Sequence, residues 1–192
     1  MIERLICLDV DEVLADWSGA ALRLFGLERE PFLARWFAEA PDQWDLFSTP
    51  AFPLDRREAW ARIEAAGADF WAQIEPTPWA GELYSRCREL APTVLLTRPS
   101  RDPASAAGKL AWMQAQFGGA KFGDYLIGPP KHVLARPGVV LVDDHPSNCA
   151  AFREAGGAAV LFPALGNERR ALREDPLPVV LAELRAALEP TD

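Results

Sequence analysis

The chain has little of what several protein classes require. Its three cysteines, Cys7, Cys87 and Cys149, are odd in number, widely separated, apolar in surroundings and without a CxxC pair. A disulfide framework and a thiolate zinc site are therefore not indicated, and buried structural thiols are expected. The two histidines offer no metal site either, since His145 precedes Pro146 at an expected helix start, where it caps or faces solvent, and His132 is placed similarly. A basic excess is missing as well: 20 Lys and Arg against 28 Asp and Glu give a net charge of −8. That balance argues against a nucleic acid polymer or an anionic membrane surface as a partner. No apolar run approaches the roughly 20 residues that span a bilayer, and the amino terminus lacks a basic region followed by an apolar stretch and a small-residue cleavage site. A cytoplasmic chain is expected, with a homodimer left open. Internal repeats and low-complexity segments are also lacking.

What is present is enough apolar side chain for one sizeable core and a small accessory domain, 49% hydrophobic over 192 residues. Arg4 to Val10, Thr93 to Thr97 and Gly138 to Asp144 are short and rich in aliphatic residues, which suits strands buried on both faces; Tyr125 to Gly128 and Ala158 to Phe162 are shorter candidates. Between them, apolar residues recur at helical spacing. Leu83, Cys87 and Leu90 follow Thr77 and Pro78; Leu110, Met113 and Phe117 follow Asp102 and Pro103; Leu181, Leu184 and Leu188 follow Asp175 and Pro176. Each set reads as a helix behind a cap residue and a first-turn proline. The alternation predicts an α/β fold, a Rossmann-like parallel five-stranded sheet with helices on both faces.

One interval departs from that alternation. From Val13 to Pro76 there are helical patterns, such as Val13, Leu14, Trp17, Ala21, Leu24 and Phe25, with joints at Pro31, Pro41, Pro50 and Pro53, but no buried strand. A small helical cap over 13–76, inserted after the first strand into a core of 1–12 and 77–192, is the expected organisation. The interval holds five of the seven tryptophans, Trp17, Trp36, Trp44, Trp60 and Trp71. A small helical domain can need such side chains simply as core. The tail after Leu188 reads as short and frayed.

The stretch ICLDVDEVLADW, Ile6 to Trp17, ends an apolar strand in a carboxylate cluster. In an open parallel sheet the ligand crevice lies beyond the carboxyl ends of the strands, and Asp9, Thr97, Asp143 and Asp144 all sit at such ends. Side-chain alternation lets Asp9 and Asp11 share a region while Val10 turns into the core, and places Glu12 on the other side. Clustered carboxylates repel unless a cation compensates, and Mg²⁺, with its preference for oxygen ligands and a substrate phosphate, suits that task. Lys131 in GPPKHV can supply a positive charge to a phosphoryl oxygen.

Taken in order, Asp9-x-Asp11, Thr97, Lys131 and Asp143-Asp144 resemble the four motifs of the haloacid dehalogenase-type (HAD) phosphohydrolases. The segments DVDEVLADW, GADFWAQIEPTPWAGEL, LLTRP and VLVDDHP resemble the 5'(3')-deoxyribonucleotidases within that group, which remove phosphate from nucleoside monophosphates. The resemblance implies that Asp9 is the nucleophile and Asp11 the general acid and base. It also implies that Thr97 and Lys131 hold the phosphoryl group. Mg²⁺ would lie between Asp9, the backbone carbonyl of Asp11, and Asp144, with Asp143 in support. Trp17 and Trp71, followed by Phe70 and Trp44, are the implied contacts to the base. The chain departs from the family in having Glu12 where glycine is common and Arg98 where serine is common. Arg98 places a permanent cation beside the presumed phosphate site, facing either the substrate or a cap carboxylate. A HAD phosphatase acting on a sugar phosphate or other small phosphomonoester, and a phosphate-binding regulatory protein without turnover, remain the alternatives.

Overall fold

The computed structural model describes residues 4–128 and 130–189, and the frayed-tail expectation beyond Glu189 lies outside the described residues. The five strands are β1 (Leu5–Leu8), β2 (Thr93–Thr97), β3 (Tyr125–Ile127), β4 (Val139–Asp143) and β5 (Ala158–Leu161). All pair in parallel, in the order β3-β2-β1-β4-β5. This is the sheet that the aliphatic runs predict, with ends trimmed by one or two residues.

The alternation along the strands sorts two faces. Ile6 and Leu8 of β1 join Leu95, Val140 and Val142 in one apolar cluster; Leu5 and Cys7 join Leu96, Val139 and Leu141 in the other. Both faces are dry because helices cover both. Helices α4 (Ala80–Leu90) and α7 (Leu177–Leu188) bring Leu83, Cys87, Val180, Leu181 and Leu184 onto the first, and α6 (Pro146–Glu154) brings Phe152 onto the second. Each such aliphatic or aromatic side chain contributes about 1.5–3 kcal/mol of transfer free energy, and β1 and β4 carry no polar residue before their carboxyl ends. Burial pushes the thiols of Cys7, Cys87 and Cys149 up to about 12, so they are inert packing groups.

The caps follow the sequence unevenly. Helix α5 (Pro103–Phe117) starts as expected, with the Asp102 carboxylate accepting from the Ala104 N–H at 3.0 Å and Pro103 in the first turn. Helix α4 does not: it starts only at Ala80, and the Thr77 hydroxyl instead donates to the Val13 carbonyl at 3.2 Å. Asp175 likewise makes no cap for α7, which opens behind Pro176.

Between β1 and α4 lie only helices, α1 (Trp17–Leu24), α2 (Arg29–Glu39) and α3 (Arg56–Ala72), and a short 3₁₀ turn at Leu46–Ser48. Val13 and Leu14 belong to a buried turn rather than to α1, which begins behind its cap Asp16. That turn pairs with the returning chain: Asp16 N–H donates to Glu75 at 2.9 Å, Thr77 N–H to Leu14 at 2.8 Å and the Trp79 indole to Val13 at 2.8 Å. The two ends of the helical segment are thereby held side by side. Helix α3 breaks at Gly67, whose φ of 65° and ψ of −155° lie in a region that residues with a Cβ avoid.

Candidate active site

The carboxyl ends of β1 and β4 place Asp9 and Asp144 in the lining of one cleft, the turn after β3 adds Lys131, and Thr97 and Asp143, at the ends of β2 and β4, are fully buried and bonded to lysines of this group. All five are buried. The Lys131 ammonium lies 2.6 Å from a carboxylate oxygen of Asp9 and 2.6 Å from one of Asp143, so one lysine bridges two strands. Asp143 is further bonded by the His145 N–H at 2.9 Å and the Asn148 amide at 3.0 and 3.2 Å. Its oxygens are fully engaged.

Asp144 is different. It is buried, and no lysine or arginine among the described residues pairs with it. Burial first, then repulsion from Asp143 and Asp9, holds its carboxyl well above the ordinary range. Burial, reinforced by Asp143 and Asp11, raises Asp9 to about 7 against the opposing pull of Lys131. Ligand oxygens of Asp9, Asp143 and Asp144 lie within 4.8 Å of one another, a set of hard donors with less positive charge than it needs. A divalent cation suits that deficit, with Asp9 and Asp144 the available ligands and Asp143 a support already tied to Lys131.

Asp11 stands at the edge of this group, and its side chain is outside the three-carboxylate cluster. One oxygen accepts a hydrogen bond from Lys109, a residue that the sequence reading passed over. The missed signal was periodicity: Lys109 shares the face of α5 that carries Trp112 and Met113, three and four residues on, so the helix puts a lysine on its apolar side. Glu12 is a correction. Strand parity does not extend to it, because β1 ends at Leu8 and the chain turns at Asp11. Glu12 has φ 60°, which explains the glycine common there, and its carboxylate bends to accept from the Ser18 N–H at 2.6 Å while lining the cleft.

The cleft measures about 580 Å³, large enough for a nucleotide. The helical segment contributes Trp17, Trp36, Trp44, Trp60 and Trp71 to its lining, and the β2–α5 loop contributes Arg98. The aromatic contacts expected from the sequence divide. Trp17 lines the cleft, edge-on to Phe47 and 5.9 Å from Trp60. Trp44 also lines it, with its ring centroid 4.1 Å from that of His145, which caps α6. Trp71 reaches the wall but is only 3% exposed, and the Lys109 ammonium lies 4.9 Å from its ring centroid. Its face is thus occupied by a cation of the protein itself. Phe70 packs edge-on against Trp71 and is not part of the cleft lining. Trp60, half-buried in α3 and not among the aromatic contacts expected from the sequence, also lines the cleft.

A sequence model of the family described as 5' nucleotidase, deoxy (pyrimidine), cytosolic type C protein matches residues 3–171. A search of curated proteins returns no match. Among solved structures, the HAD-hydrolase YfnB from Bacillus subtilis, crystallised bound to magnesium, superposes with a TM-score of 0.57 at 15% identity, covering 99% of this chain and 100% of that one. The haloacid dehalogenase-like hydrolase SP0104 from Streptococcus pneumoniae gives 0.52 at 16% identity over 94% and 98%. At such identities these likenesses speak for the fold, a HAD-like α/β architecture.

Proposed function

Because the chain belongs to the family of cytosolic type C 5' (pyrimidine) deoxynucleotidases, it is a phosphoric monoester hydrolase of the 5'-nucleotidase type, and we propose that it dephosphorylates (deoxy)nucleoside monophosphates through an aspartyl-phosphate on Asp9. The observation that carries this reading is the convergence of Asp9, Asp11, Thr97 and Lys131 beneath a wall of tryptophans. In it, residues 13–76 act as a cap over the nucleoside, and the cytosolic family description supports a cytoplasmic location. Among the described residues no helix is long and apolar enough to cross a membrane.

In the first step the Asp9 carboxylate attacks phosphorus, the bond from phosphorus to the ribose oxygen breaks, and Asp11 gives that oxygen its proton. In the second, Asp11 takes a proton from water as the water oxygen attacks phosphorus; the Asp9–phosphorus bond breaks, releasing phosphate and restoring the carboxylate. Thr97 would donate to a phosphate oxygen, and Lys131 would offset charge on the phosphoryl group while remaining paired with Asp9. Asp9, Asp144 and the backbone carbonyl of Asp11 would hold Mg²⁺, which when bound supplies positive charge for the phosphate oxygens.

The raised carboxyls give the metal reading a thermal test. Asp9, at about 7, binds more protons folded than unfolded between its ordinary value and that pH. The metal-free protein therefore loses stability from this group as pH climbs through that interval, and a cation that binds the ionised cluster restores it. Mg²⁺ at a hundredfold excess over its Kd is worth about 2.7 kcal/mol, roughly 5–10 °C in Tm for a chain of this size. That gain is expected at pH 8, with a much smaller one at pH 5; equal gains at both would remove the cluster as the binding site.

Phosphate release from a panel of phosphomonoesters tests the substrate class: nucleoside monophosphates should lead, and sugar phosphates leading would overturn it. Within the panel, Trp60→Ala should lower nucleotide turnover about 5- to 150-fold, the equivalent of ~1–3 kcal/mol for one stacking platform. A small phosphomonoester without a base should be nearly unaffected. Equal loss on both would make Trp60 part of the packing only.

Arg98 is exposed at the cleft mouth and has no carboxylate partner among the described residues, which favours a substrate-facing role over an ion pair with the cap. Arg98→Ser is expected to raise KM about 2- to 5-fold, the scale of an exposed charge contact, with kcat changed less. An unchanged KM would remove Arg98 from substrate binding.

A further inference from the structure

Lys109 is a charged side chain that the mechanism above does not use, yet it is only 2% exposed. Burying an ammonium is unfavourable unless its donors are satisfied. Here all three have a destination: a carboxylate oxygen of Asp11, the Thr97 hydroxyl at 3.1 Å, and the face of Trp71, 4.9 Å from the ring centroid. The backbone brings this about through Gly108. A Cβ there would lie 2.3 Å from the Ala68 carbonyl oxygen and 2.6 Å from the Trp71 Cβ, so only glycine lets α5 approach the end of α3 closely enough to seat Lys109 between them.

We propose that Lys109 is a positioning residue that fixes which oxygen of Asp11 handles the proton and which way the Thr97 hydroxyl points. This deepens the phosphomonoesterase reading and rests on it. With Oδ2 of Asp11 held by the ammonium, Oδ1 is the oxygen left for the leaving group, and it is buried without a hydrogen-bond partner. Proton delivery from Oδ1 to the ribose oxygen leaves Asp11 as a carboxylate already facing a cation. At Thr97 the ammonium occupies the oxygen as acceptor, so the hydroxyl hydrogen is free to donate toward phosphate. The same side chain ties the catalytic floor to Trp71 of the helical segment. Lys109 touches neither metal ligand of the cluster, Asp9 or Asp144, which leaves phosphate capture to Lys131.

The test is single-turnover release of the leaving group by Lys109→Met, with Mg²⁺ present and enzyme in excess, so that only the first chemical step is read. A nucleoside monophosphate leaves as an alkoxide that needs the Asp11 proton; nitrophenyl phosphate leaves as a stabilised phenolate that does not. Misplacement of the acid should slow nucleoside release about 10- to 100-fold, while nitrophenolate release falls less than about 3-fold and steady-state KM for the nucleotide stays within about 3-fold. Equal slowing of both substrates, or of neither, overturns the assignment. Lys109→Gln retains a donor and most of the stem, and is read in the same way should Lys109→Met not fold. Wild-type protein that releases nothing from either substrate overturns the phosphomonoesterase reading itself. A wild type active on both with variants that do not discriminate overturns only the role of Lys109.

Discussion

Asp9→Asn is expected to reduce phosphate release by at least about 10⁴-fold, the scale of removing a covalent nucleophile. The amide is nearly isosteric and can still accept from the Val10 N–H, which now lies 2.8 Å from Oδ1. It cannot form an acyl-phosphate. The fold should survive, because the substitution removes one of three crowded carboxylates and leaves Lys131 its 2.6 Å contact with Asp143. Loss of a buried acid that sits at about 7 also removes a group that disfavours the folded state at neutral pH, so Tm without metal should not fall. The measurement pairs turnover with a thermal unfolding curve. Appreciable turnover by a verified Asp9→Asn preparation would falsify the covalent route.

Asp11→Asn is expected to be the next most severe change, about 10²–10⁴-fold in kcat, the usual contribution of a positioned acid and base. Its effect should depend on the leaving group: large on a nucleoside monophosphate, smaller on nitrophenyl phosphate in the first step. The amide keeps one oxygen for Lys109, so the side chain stays in place while losing the proton it must move. Uniform loss across leaving groups would assign Asp11 to metal or phosphate binding instead of proton transfer.

The two predictions draw on residues of different visibility. Asp9 and Asp11 stand in the sequence because a strand of Ile6, Cys7 and Leu8 leads straight into them, and buried strands rarely end in paired charge without a purpose. Thr97, Asp143 and Asp144 are legible for the same reason: each ends or follows an aliphatic run. Lys131 was legible by its place in the motif order. Lys109 was not, although its helix face marks it as unusual. Its partners Asp11, Thr97 and Trp71 come from three other segments, and only their packing makes a solvated-looking lysine into a buried one. Glu12 failed for a local reason, since the extended parity assumed for it ends before the turn in which it sits.

The aromatic residues show where sequence reading stops. Tryptophans in a helical segment are chosen equally well as core or as ligand platform, and composition cannot separate the two uses. Packing grades them: all five line the cleft, but Trp36 and Trp71 are almost wholly buried while Trp17, Trp44 and Trp60 keep more exposed surface, and Phe70 is not part of the lining.

By itself, then, the sequence determined the parallel sheet, its covering helices and the acidic strand ends, because aliphatic alternation and chain order are local properties that a buried strand cannot satisfy in another way. Tertiary structure alone decided that Lys131 neutralises Asp9 and Asp143 together, that Asp144 is the carboxylate left without a cation, and that Lys109 holds Asp11. Those outcomes depend on distances between segments far apart in the chain, where shifts of an ångström decide which charge is paired and which is left for a ligand.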